Sequence, residues 1–129
     1  MAHASIMPPM LRLKRSAQSG SKAMAAAWTV VYTEASIMAY IFAGAEIDLS
    51  GMIAGDIVDI RVRKVLISGG NLINHDQKQY TDAQPAGHPS IHINPIPDVY
   101  GVEVAMRQTA GALLTIDAEF FDAKRLGIA

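Results

Sequence analysis

The chain has 129 residues, half of them hydrophobic and 18% charged, with a formal net charge of −1. A typical soluble domain carries about 25% charged residues and less apolar character, so disorder, a collagen-like repeat and a polyelectrolyte are excluded. One domain of this size exposes roughly 6,600 Å² as a monomer and buries about two-thirds of its unfolded surface, which is enough for a real core. With 11 basic and 12 acidic side chains and a mean hydropathy of +0.20, part of that surface is expected to meet other protein.

There is no cysteine, which excludes disulfides, thiolate metal sites and thiol nucleophiles. The longest apolar stretches, Met24–Trp28 and Ile37–Ala43, fall far short of the ~20 residues a membrane-spanning helix needs, so no membrane partner is expected. Pro8 and Pro9 interrupt the early apolar residues and the basic cluster follows them, an order that argues against a targeting segment.

Residues 1–33 carry Arg12, Lys14, Arg15 and Lys22 and no acid, for +4, while the remainder sums to −5. Ser16, Ser19, Gly20 and Ser21 add to this start, and no apolar period is sustained there. Residues 1–26 therefore read as a basic N-terminal arm. Three roles fit it: a solvated terminus, an arm docked on a neighbouring subunit, or contact with nucleic acid. Four charges would neutralise only a few phosphates, which makes nucleic acid the weakest of the three. Met7, Pro8, Pro9, Met10 and Leu11, with Arg12, Lys14 and Arg15, are the candidate subunit contacts. Flexible thioethers suit adaptable contact surfaces as well as core gaps.

From Trp28 onward the chain reads as strands. Trp28–Thr33 and Ile37–Phe42 are β-branched and aromatic, and this places the lone Trp in the core. Met24, Trp28, Val31, Ala35, Met38 and Phe42 also follow helical spacing, so a long helix stays open there. Gly44, Gly51 and Gly55 punctuate the next stretch. Asp56–Arg63 alternates cleanly, Val58, Ile60 and Val62 against Asp59, Arg61 and Arg63, and predicts a half-buried antiparallel strand. Ser68–Asn71 is a turn. Residues 74–88 read as a polar loop, with Lys78–Thr81 as a short edge strand within it. Pro85, Pro89, Pro95 and Pro97 exclude helix and leave Ser90–Ile93 as a brief extended piece.

Val102, Val104 and Met106 share one face, as do Leu114, Ile116, Ala118 and Phe120. A three-residue loop at Ala110–Ala112 pairs Met106 with Ile116 and Val104 with Ala118, bringing the apolar sets together as a hairpin. Arg107 and Asp117 then meet diagonally on the outer face. The whole predicts an all-β chain: one antiparallel β-sandwich or jelly roll of seven to eight short strands over residues 27–123, followed by a C-terminal tail at 124–129.

No constellation passes as catalytic. His75, Asp76, His88 and His92 suggest metal, but Pro89 and Pro95 prevent the helix that would stack His88 over His92. In extended chain these two lie ~13 Å apart, too far to share one zinc. Asp117 and Glu119 share a strand face, as carboxylates on any solvated strand do. Ser90 lacks an orienting acid for a neighbouring histidine, and Gly69–Asn71 is too short to cradle phosphate. Arg61, Arg63 and Lys64 form a basic stripe balanced by Asp59, read as a solvated or subunit-facing edge. No cofactor, no metal and no enzymatic activity are expected.

The series Gly44–Ser50, Gly55–Arg61 and Arg107–Gly111 resembles that of small β-rich virion proteins of viruses and phages, over roughly residues 37–121. The resemblance implies a capsid or capsid-decoration component whose partners are copies of itself and a major capsid protein, located in the virion and in host cytoplasm during assembly. A basic N-terminal arm suits such a component, since arms of that kind tie subunits together. The other reading is a sandwich module that binds a carbohydrate or receptor through exposed aromatics, with Tyr80 and Tyr100 placed near loops.

Overall fold

The computed structural model describes residues 11–34, 40–98 and 100–125. Their regular structure is entirely β: β1 Leu11–Arg15, β2 Gly20–Ala23, β3 Thr29–Glu34, β4 Tyr40–Asp48, β5 Ile57–Val65, β6 Leu72–Thr81, β7 Ser90–Ile93, β8 Ile96–Asp98, β9 Val102–Ala110 and β10 Thr115–Arg125. One sheet runs β1-β10-β4-β7, with β2 also on β10 and β8 also on β4; the other runs β3-β9-β5-β6. β1 and β2 thus share one lane, and β7 and β8 another, so ten strands fill eight lanes.

The pairings show how the lanes arise. β1 and β2 pair with β10, β3 with β9, β4 with β7 and β8, and β5 with β6, all antiparallel. The chain is therefore one long antiparallel ribbon folded at the β5–β6 turn, with first lane against last and second against seventh. The ribbon rolls up where β10 pairs with β4 and β5 with β9. A rolled ribbon of eight lanes in two four-lane sheets is a jelly roll.

Period-two alternation decides which side chains face inward. Val58, Ile60 and Val62 of β5, Val102, Val104 and Met106 of β9, and Ile116, Ala118 and Phe120 of β10 are all buried. Two bulges keep the alternation in step. On β3 the register skips at Val31, so that Val31 and Tyr32 are both buried. On β4 it skips at Ala43, so that Phe42 and Ala45 both face the core. Tyr32, Phe42 and Phe120 meet at the centre, with ring centroids of Phe42 and Phe120 each 5.0 Å from that of Tyr32. Such aromatic pairs add about 0.5–1.5 kcal/mol each beyond their burial.

Residues 11–23, expected within the arm, run as β1 and β2 along β10, and Met24 is buried in the core. Their backbone bonding to β10 requires no apolar period, which is why the sequence reads as an arm there. Leu114 to Phe120 do not form a hairpin with β9. The turn after Ala110 carries the chain across to the other sheet, so the two apolar sets meet face to face over the core rather than side by side. Gln108, fully buried, holds this crossing: its Nε2 donates to the carbonyls of Ala110 at 3.1 Å and Ala112 at 2.8 Å, and its Oε1 accepts from the Leu114 N–H at 2.8 Å. The polar 74–88 segment is mostly strand, because β6 extends through it to Thr81.

Gly44 sits at the β4 bulge with φ +108°, and a Cβ there would lie 2.5 Å from the Ile93 carbonyl oxygen of β7. Gly44→Ala is expected to cost about 2–4 kcal/mol in urea unfolding, from strain plus displaced backbone. Gly51→Ala, where nothing lies within 4 Å, is expected to change stability by less than about 0.5 kcal/mol.

Candidate interaction surfaces

The outward residues of β5 and β9 form a polar layer over the second sheet. Asp59 lies opposite Arg107 in the ladder, and Arg63 lies opposite Glu103. The Arg107 Nε donates to Asp59 Oδ2 at 2.7 Å, and Gln79 Nε2 of β6 donates to Asp59 Oδ1 at 2.9 Å. Arg63 donates to Glu103 Oε1 through Nε at 2.9 Å and Nη2 at 2.7 Å. Both carboxylates are buried, Asp59 at 2% and Glu103 at 8% exposure, although they point away from the main core.

Trp28 covers them. The sequence places this residue in the core; the structure places it half-buried on the outer face, with the guanidinium carbons of Arg61 and Arg107 4.2 and 4.4 Å from its ring centroid. The indole lies across the arginines just before β3, and the two cations gain about 0.5–2 kcal/mol each from the ring. Burial holds the Arg61 guanidinium below its usual range, with Arg63 and Arg107 pressing the same way and Glu103 opposing them. Its Nε is buried without a hydrogen-bond partner, and the ring offsets part of that cost. Arg107 bonds Asp59, not the expected Asp117, because β9 and β10 lie in different sheets; Asp117 instead accepts from Ser21 Oγ at 2.5 Å.

A second polar site lies at the open side of the sandwich, between β6 and β7. Asp76, Lys78 and Tyr80 face His92 and Asn94 across a hollow of about 200 Å³ floored by Ile60 and Val62. Burial raises the Tyr80 phenol above the usual tyrosine value, and the Asp76 carboxylate raises it further. Lys78 Nζ stands 5.4 Å from the Tyr80 ring centroid.

The remaining sequence candidates divide clearly. Met7, Pro8, Pro9 and Met10 lie outside the described residues. Leu11, Arg12, Lys14 and Arg15 sit on β1, opposite Arg125, Lys124, Asp122 and Phe121 of the same chain. The Arg15 Nε donates to Glu119 Oε1 at 3.0 Å, an exposed pair contributing at most about 1 kcal/mol. Among the described residues no three His, Asp or Glu side chains come together to hold a metal ion, and no helix is long and apolar enough to cross a membrane. Sequence reasoning missed the Trp28–arginine stack. The outward Asp59–Arg61–Arg63 alternation signals it, once the indole is allowed outside the core.

Exposed apolar residues collect at the two ends of the roll. Leu66, Ile67 and Ile73 surround a hollow at the β5–β6 turn, 58%, 70% and 47% exposed. Ile53 and Leu113 are exposed on the β4–β5 and β9–β10 loops at the other end.

Removing Arg107 strands a buried carboxylate, whereas removing Asp59 frees a guanidinium whose side chain is already 33% exposed. Arg107→Ala is therefore expected to cost about 3 kcal/mol in urea unfolding and Asp59→Ala about 1–2 kcal/mol; equal costs would contradict this geometry. For Tyr80 the folded-state value lies above the unfolded one, so the neutral phenol contributes stability below pH about 10 that is lost as pH rises through the folded value. Absorbance titration at alkaline pH should show a late-titrating component that Tyr80→Phe removes and Asp76→Asn shifts to lower pH.

No family model matches the sequence, and no curated protein matches it. Among solved structures, the fold is similar to the crystal structure of the infectious bursal disease virus VP2 subviral particle, with TM-score 0.48 and 10% identity over 88% of this chain and 32% of that one. It is also similar to the structure of the infectious bursal disease virus Gx strain, with TM-score 0.48 and 12% identity over 93% of this chain and 34% of that one. The chain spans about a third of the length of the chains it matches.

Proposed function

We propose that this chain is a non-enzymatic structural protein of a virus or phage particle, a jelly-roll subunit that associates with copies of itself or decorates a shell of a major capsid protein. The observation that carries the reading is the strand order, the ribbon of eight lanes rolled into two sheets, an architecture used by viral capsid and lectin domains. The apolar ends support it. Leu66, Ile67 and Ile73 project at one end, and each Å² covered by a neighbour contributes about 25 cal/mol.

In this reading Met7, Pro8, Pro9 and Met10 contact a neighbouring subunit, and Leu11, Arg12, Lys14 and Arg15 tie that contact to β10. The subunit resides in the virion, and in host cytoplasm during assembly. Lectins share the architecture, which keeps carbohydrate or receptor binding as the second reading. Against it, Trp28 is stacked with two guanidinium groups rather than open to a sugar.

Sedimentation velocity and electron microscopy of the purified chain test the proposal. Oligomers or particles that grow with concentration are expected, reduced on deletion of residues 1–10 with the thermal transition retained. A monomer of 13.8 kDa at tens of micromolar, unchanged by that deletion, would remove the case for self-assembly. Glycan-array binding that is lost in Tyr80→Ala would favour the second reading instead.

A further inference from the structure

The roll has four outer lanes, and three of them are closed to a further strand. The β1/β2 lane breaks at Ser16–Ser19, where Ser16 N–H donates to the Phe120 carbonyl at 2.7 Å and Ser19 Oγ accepts from Phe120 N–H at 2.9 Å. The β7/β8 lane breaks at Asn94–Pro95, and Pro97 has no N–H to offer. At β3, the Gln18 carboxamide takes the position a new strand would occupy, donating to the Thr33 carbonyl at 2.7 Å and accepting from the Thr33 N–H at 2.9 Å. β6 has no such cover. It runs ten residues, pairs with β5 alone among the described residues, and is exposed along nearly its whole length. An edge of this kind is a template for another strand.

We propose that β6 pairs antiparallel with β6 of a second copy about a two-fold axis at Gln77, joining the two second sheets into one. This rests on the self-association proposed above and names the strand that performs it. The register follows from charge. With Gln77 opposite itself, Asp76 of each copy faces Lys78 of the other, giving two opposite-charge pairs. Neither residue has an ion pair within its own chain among the described residues. Shifting the axis to residue 76 or 78 sets Asp76 against Asp76 or Lys78 against Lys78, and like charges directly opposite are destabilising. Axes between residues set inward positions against outward ones, turning the two sandwiches to opposite sides of the joined sheet. Of the axes within residues 76–78, the one at Gln77 alone satisfies both faces and charge.

The same strand limits the contact. Between Val62↔Asp76 and Arg63↔Asn74 the ladder with β5 skips His75, a bulge that bends β6 just beyond Asp76. The joint is therefore short and centred on residues 76–78. The result is a closed pair of subunits, since a two-fold contact uses the same surface on both copies.

The chain has no cysteine, so a single introduced thiol reports the geometry. Residues opposite on antiparallel strands have Cα atoms about 4.5–5.5 Å apart, within disulfide reach. Gln77→Cys is expected to form a covalent dimer in most chains on mild oxidation. Gln79→Cys, whose copies would lie ~13 Å apart, is expected to form little. Asp76→Lys and Lys78→Asp should each weaken dimerisation at least tenfold in sedimentation, and an equimolar mixture of the two variants should restore it. Equal cross-linking of Gln77→Cys and Gln79→Cys, or a mixture no better than either variant, overturns the β6 joint. If wild-type particles still form in that case, self-association stands and uses another surface. If the Gln77→Cys dimer forms but no larger assembly does, the joint stands and the shell reading falls.

Discussion

Tyr32, Phe42 and Phe120 mark where a flat ribbon becomes a roll. Tyr32 belongs to the second lane, Phe42 to the third and Phe120 to the eighth, so their contact joins both sheets and both ends of the chain. Few lanes are local partners. Among the described residues β5 and β6 are the only consecutive lanes that pair with each other, while the first lane pairs with the last. Loop-closure entropy must be overcome before such distant pairings stabilise anything, which leaves the central aromatics to hold the roll together. The bulges at Val31 and Ala43 serve this contact directly. Without the extra residue, strict alternation would turn either Tyr32 or Val31, and either Phe42 or Ala45, toward solvent.

The second sheet carries a further packed layer on its outside. A solvated antiparallel face ordinarily leaves charges in water. Here Ala105 and Asp59 are almost wholly buried, with Arg107 bonded to Asp59 and the Trp28 indole stacked on Arg61 and Arg107. Charges pair within the subunit instead of facing the solvent. Of the 11 basic and 12 acidic groups, this layer takes Asp59, Glu103, Arg61, Arg63 and Arg107. Leu66, Ile67 and Ile73 stand apart from this layer, exposed at the β5–β6 turn.

Much of the fold was legible in the residues, and the failures share a cause. Val58, Ile60 and Val62 against Asp59, Arg61 and Arg63 reads as a half-buried strand without any partner, because alternation is a local property. The inward sets of β9 and β10 are legible for the same reason. Their partners are not. A short loop after Ala110 can close a hairpin or cross between sheets, and the choice rests on Gln108 bonding across the turn, a contact with no periodic signal. Only the Lys78–Thr81 end of β6 was legible, because a strand exposed on both faces has no apolar period. β1 and β2 escaped because backbone pairing with β10, rather than burial, holds them in place. Trp28 was misplaced by β-propensity, which marks a strand but not which face of the sheet its side chain will cover.

The treatment of the edges separates this subunit from an aggregating one. Edge strands pair indiscriminately when they are long, flat and uncharged. Interrupted lanes on the first sheet and the Gln18 carboxamide on β3 close three routes by geometry. β6 keeps its backbone open but carries Asp76 and Lys78 two residues apart, so opposite charge meets opposite charge in one register only. Its bulge at His75 prevents the ladder from extending. A shell assembled from many copies gains from contacts that are individually weak, because simultaneous engagement multiplies them while wrong pairings can still dissociate. A short, charge-registered strand edge meets that requirement, whereas a long apolar one would fix each first encounter whether or not its register was right.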